Sequence, residues 1–97
     1  MRELESCVEY IAQVNIEAAE RLHLAAEAAF EHLAEMPGIG RAYPCDAARL
    51  QGLRKWNVTG FSNYLVFYLV FDDHIDIVRF LHGARDISAE LDSTETE

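Results

Sequence analysis

Polar and apolar positions along the 97-residue chain change their period once, near residue 40. Before that point the period is helical. Leu4, Cys7, Val8 and Ile11 stand at i, i+3, i+4 and i+7 and predict a helix from about Arg2 to Gln13. "VNIE" breaks the pattern. It resumes with Ala18, Leu22, Ala25, Ala29 and Leu33, flanked by Ala26 and Phe30, and predicts a second helix from about Glu17 to Glu35, rich in the strong helix formers Ala and Glu. "PGIG" at residues 37–40 ends it, because Pro37 has no amide to donate and its ring obstructs the preceding turn. The short link between the two segments predicts an antiparallel helical hairpin.

After a loop over roughly residues 40–50 the pattern becomes that of strands. "LRKWNV" (53–58), "YLVFYLVF" (64–71) and "IDIVRFLH" (75–82) are separated by the turn regions "TGFSN" and Asp72-Asp73. They predict an antiparallel meander. The middle strand places Tyr64, Val66, Tyr68 and Val70 on one face and Leu65, Phe67, Leu69 and Phe71 on the other. An antiparallel strand with one wet face alternates polar and apolar residues, and this one does not. A helical hairpin covers one face only. The other is expected to stay partly bare and to mark an interaction site, unless the chain's own C-terminal segment closes it. A short final helix is expected over "DISAEL", with Asp86 as its N-cap, followed by an acidic tail. The expected architecture is α+β: an N-terminal antiparallel helical hairpin packed on an antiparallel three- to four-stranded sheet. It forms one domain over residues 1–91 with a flexible tail at 92–97.

Charge narrows the choice of partners. Net charge is −9. Residues 1–40 hold eight acidic and two basic groups, residues 41–85 four acidic and six basic, and residues 86–97 five acidic and none basic. Binding to phosphate backbones needs many Lys and Arg, so direct nucleic-acid binding is not expected. No apolar run approaches the roughly 20 residues of a membrane span, and a start charged from Arg2 onward does not resemble a secretory signal. The expected location is the cytoplasm. Cys7 and Cys45 match no metal or redox spacing and are expected to be reduced, buried small hydrophobes. His23, His32 and His74 form no ligand cluster, so neither metal nor cofactor is expected.

Two stretches carry candidate chemistry. In "GLRKWNV", Arg54 and Trp56 share a strand face while Lys55 points the other way. This is either a patch for an acidic partner or an edge strand protected by charge. "HGARD" (82–86) closes the last strand. Arg85 and Asp86 can tie the final helix to the sheet. Alternatively His82 can act as general acid or base, with Arg85 stabilising an anion.

The order of motifs resembles the RelE/ParE toxin superfamily, and its ParE branch in particular. The residues that carry the resemblance are Tyr10-Ile11-Ala12, Ala18-Ala19, the junction from Leu33 to Arg41, Leu53-Arg54, the strand from Tyr64 to Tyr68, and the terminal Ile77 to Asp86. Together they cover about residues 3–90. The resemblance implies a toxin of a bacterial type II toxin–antitoxin pair, of the kind that stabilises plasmids, wrapped and silenced by a ParD-like antitoxin. For ParE members it implies inhibition of DNA gyrase by binding, without turnover. For RelE members it implies ribosome-dependent cleavage of mRNA, in which case His82 and Arg85 are the catalytic candidates. Residues expected to meet a partner are Arg54, Trp56, Leu65, Phe67, Leu69, Arg79, His82 and Arg85. The family's strand before helix one has no counterpart here: either the true start lies upstream or this member lost a strand, and the second case leaves a detoxified, antitoxin-binding remnant as a third reading. Homo-oligomerisation stays open. The acidic balance and the Leu at position 65, where ribonuclease members are basic, favour the binding toxin over the nuclease.

Overall fold

The computed structural model describes residues 2–45 and 47–83. Helix α1 spans Arg2–Ala12 and helix α2 spans Ile16–Glu35. The break between them is closed locally. Val14 and Asn15 both donate to the Ile11 carbonyl, and the Asn15 side chain then accepts the Ala18 amide at 3.0 Å as the N-cap of α2. Pro37 stops α2 as expected and begins a 3-10 turn over Pro37–Ile39.

Four strands follow: β1 (Arg41–Ala42), β2 (Arg54–Val58), β3 (Phe61–Val70) and β4 (Ile75–His82). They pair antiparallel in chain order, so β1 and β4 are the edges. The α+β architecture therefore stands, with four strands in the sheet. β1 falls in the expected loop, and it is only two residues long. β3 begins at Phe61, inside the expected turn region, because the reversal is made by Thr59 and Gly60 alone, with Gly60 at φ +83. A register shift at Asn57/Val58 and a bond from Asn57 Nδ2 to the Ser62 carbonyl at 2.7 Å accommodate that tight start. A second shift, at Phe67/Tyr68, leaves Val78 as an extra residue in β4.

The two faces of β3 divide the core as the alternation requires. On the helical side, Leu4, Leu22, Ala26 and Leu33 pack on Val58, Val66, Tyr68 and Phe80. The buried stripe of α2 runs through Ala19, Leu22, Ala26, Ala29 and Leu33, one position round from the expected Ala18 and Ala25, which are half-buried. On the far side, Ala47, Leu50 and Leu53 pack on Leu65, Phe67 and Leu81, with Tyr43, Cys45, Leu69 and Val78 around them. The expectation of a bare far face is thus corrected. The connection between β1 and β2 folds over it, with a 3-10 turn at Ala48–Leu50. Gln51 pins that connection by donating to the carbonyls of Cys45 and Ala47. Burying a side chain such as Phe67 or Leu81 contributes roughly 1.5–3 kcal/mol, which is what holds this layer down. The expected final helix and tail lie outside the described residues.

Candidate functional site

β4 brings together most of the chemistry at the helical end of the sheet. His82 pairs with Tyr64 across the β3–β4 ladder, and their rings meet edge to face at 5.0 Å. Tyr64 in turn stacks on Phe80 at 5.8 Å. Tyr64 and His82 line a half-open cavity of about 500 Å³ that α1 completes with Ser6, Cys7 and Tyr10. An imidazole, a thiol, a hydroxyl and two phenols thus surround one space, and the described lining contains no Lys or Arg. Cys7 and Cys45 are not joined in a disulfide, and both are half-buried where the sequence led us to expect buried side chains. The approach of Cys7 and Tyr10 to His82 was not visible in the sequence, because it depends on how α1 crosses β4.

Arg79 sits three residues earlier and is engaged by α1. Its Nε donates to Glu3 Oε2 at 2.7 Å and a terminal nitrogen reaches the same oxygen at 2.6 Å. The other oxygen of Glu3 accepts the Phe80 amide at 3.1 Å. That amide points outward from the edge strand, so one carboxylate satisfies an edge amide and a guanidinium together. Seventy-six residues separate the partners, and no local signal in the sequence marks Glu3.

The remaining candidates lie elsewhere. Arg54 is on the helical face of β2, and its guanidinium donates to the carbonyls of Gly40 at 2.6 Å and Gly38 at 3.4 Å. It secures the turn after α2. Trp56 lies on the same face against His32, with ring centroids 5.8 Å apart. Lys55 points to the far face, as alternation predicts, with its ammonium 5.7 Å from the Tyr43 ring centroid. Leu65 and Phe67, expected to meet a partner, are 6% and 0% exposed beneath the β1–β2 connection. Leu69 is half-buried at the margin of that cluster. Arg85 and Asp86 lie outside the described residues, so the proposed tie and the Arg85 half of the catalytic alternative do too.

The β3–β4 turn holds a separate charged group. His74 Nδ1 is 2.6 Å from Asp73 Oδ1, its Nε2 is 3.5 Å from Asp76, and its ring stacks on Phe71. The hydrogen bond to Asp73 raises the His74 pKa above its ordinary 6.5, and the bond to His74 lowers that of Asp73 below 3.8. Among the described residues, no three His, Cys, Asp or Glu side chains lie together as a metal site needs, and no helix is long and apolar enough to cross a membrane.

Residues 1–87 match the family described as the ParE toxin of the type II toxin–antitoxin system parDE. No curated protein matches the chain.

Proposed function

Because the chain belongs to the family of ParE toxins of type II toxin–antitoxin systems, we propose that it inhibits DNA gyrase by binding and is held silent by a cognate, ParD-like antitoxin in the cytoplasm. Family membership implies the antitoxin. The single observation that favours binding over RNA cleavage is the state of the far sheet face. An RNA-cutting surface needs an open, basic sheet. Here Leu65 and Phe67 are covered by Leu50 and Leu53, and the most basic stretch spends Arg54 on the Gly38 and Gly40 carbonyls. The described lining of the His82 cavity adds no Lys or Arg to hold a phosphate backbone.

The test is induction of the chain with and without its neighbouring antitoxin gene. Purified chain should inhibit supercoiling by gyrase, and induced cells should show DNA damage with intact mRNA. Antitoxin should reverse both effects. Reproducible mRNA cuts at ribosomal positions that vanish in His82→Ala would overturn the proposal in favour of an mRNA interferase. Binding of antitoxin without any toxicity would identify a detoxified remnant.

A further inference from the structure

β4 is an edge of the described sheet, and α1 holds it through Glu3. The Gly83 amide donates inward to the Asn63 carbonyl at 2.6 Å, so strand alternation turns the Phe80 amide outward, where an added strand would accept it. Glu3 Oε1 accepts it instead, at 3.1 Å. Arg79 stands opposite Phe67 and next to Leu81, both in the far-side cluster, whereas α1 lies on the helical side, with Leu4 in the same cluster as Phe80. The Arg79 guanidinium and the Glu3 carboxylate therefore meet around the margin of β4, at 2.6 Å. Their pair straps the edge from one face to the other.

We propose that this strap is a plug that keeps a second copy of the chain from pairing its own β4 with this one. An edge strand is a template for another strand, and β4 suits itself as a partner. Five of its eight residues are apolar: Ile75, Ile77, Val78, Phe80 and Leu81. A two-fold axis at Phe80 sets that residue opposite its own mate, Arg79 opposite Leu81 and Val78 opposite His82. No like charges then face each other across the pair, so charge alone does not prevent it. The two hydrogen bonds at that centre are made by the Phe80 amide and carbonyl of each copy. The amide is the one that Glu3 holds. The extra residue at Val78 disturbs pairing beyond the centre, so association has to start at Phe80, where the carboxylate stands. The self-matching register makes a second copy the excluded strand. The inference is independent of what the toxin poisons.

The experiment is sedimentation equilibrium of the full chain and of Glu3→Ala over a range of concentrations, with amide hydrogen exchange on the same samples. The variant should dimerise with a dissociation constant lower than that of wild type by about tenfold or more, since the incoming strand no longer displaces a charge-assisted hydrogen bond. In dilute Glu3→Ala the Phe80 amide should exchange fast. It should slow as concentration rises, because the other copy's carbonyl then accepts it. In wild type its exchange should not depend on concentration. Glu3→Gln keeps an oxygen for the amide and loses the ion pair, so its association should fall between the two. That variant also carries the test if Glu3→Ala loses protection of its α2 amides. Association of the folded variants equal to that of wild type would overturn the proposal. So would association that leaves Phe80 exchange independent of concentration, since the contact would then lie elsewhere. A wild-type dimer whose Phe80 amide gains protection with concentration would overturn it too, by showing that the strap does not keep copies apart.

Discussion

The Tyr68 hydroxyl stands directly under the Gly40 amide, accepting its hydrogen at 2.9 Å and donating its own to the Pro37 carbonyl at 2.7 Å. Tyr68 is fully buried at the centre of β3, so the sheet itself holds the turn that ends α2. The fit leaves no room for a side chain at position 40. A Cβ there would lie 2.3 Å from the Tyr68 oxygen and 2.9 Å from the Lys55 carbonyl.

Two substitutions test this clamp. Tyr68→Phe keeps the ring and strands a buried backbone amide, at an expected cost of about 1–3 kcal/mol. Gly40→Ala forces the phenol or β2 to move and should cost at least as much, in the range of about 1–3 kcal/mol or above. Urea midpoints of the two variants and wild type provide the check. A Gly40→Ala midpoint equal to wild type would show that the turn is free to shift.

How much of this could be read beforehand depended on whether the signal was local. The two helices and the two faces of β3 were legible, because each rests on a period carried by adjacent residues. The stripe of α2 was read correctly at Leu22, Ala29 and Leu33 but missed at two places, where Ala19 and Ala26 are buried in place of Ala18 and Ala25, since adjacent alanines look alike in sequence. The cover over Leu65 and Phe67 was not legible. Tyr43, Cys45 and Ala47 alternate by two while Leu50 and Leu53 follow at steps of three, so no single period runs through the segment, and Pro44 marks a loop without saying where it lies. The surroundings of His82 were hidden for a related reason: Cys7 and Tyr10 come from the opposite end of the chain.

Glu3 and Arg79 form a polar link across 76 residues of sequence, and both are partly buried, with side chains 27% and 17% exposed. Glu3→Ala leaves a guanidinium and the Phe80 amide without that carboxylate. The expected loss is about 1–2 kcal/mol, below the figure for a fully buried pair because solvent reaches both groups. Hydrogen exchange gives a more specific readout. The Phe80 amide should exchange faster in Glu3→Ala and in Glu3→Gln, while amides at the centre of β3 change little. Uniform acceleration throughout the sheet would mean that α1 contributes to global stability and is not a local guard of the β4 edge.

The Asp73–His74 pair makes stability depend on pH over a defined window. The His74 pKa is raised, so its contribution is complete below pH 6.5 and is lost as pH rises through the folded value. The Asp73 pKa is lowered, so its contribution is complete above pH 3.8 and is lost as pH falls through the folded value. The pair therefore contributes most between those limits. Wild type should exceed His74→Gln in urea midpoint near pH 5.5, and the gap should close by pH 8. Both groups are solvent-exposed, so added salt should narrow the gap at pH 5.5. A constant gap across this range would assign the effect to the stacking of His74 on Phe71.

Leu50 decides whether the far sheet face is closed. It is 3% exposed and packs in the cluster of Leu53, Leu65, Phe67 and Leu81. Leu50→Ala should cost about 2–4 kcal/mol, the usual range for a leucine lost from a packed core. Leu50→Asp should do more than destabilise. A carboxylate cannot remain in that cluster, so the β1–β2 connection should lift and expose Leu65 and Phe67 as a contiguous apolar patch. The expected signature is concentration-dependent association in sedimentation, together with increased binding of a hydrophobic dye, at temperatures where the α2 amides remain protected from exchange. The converse separates cover from core: if Leu50→Asp loses α2 protection in step with dye binding, the connection is an inseparable part of a single cooperative unit.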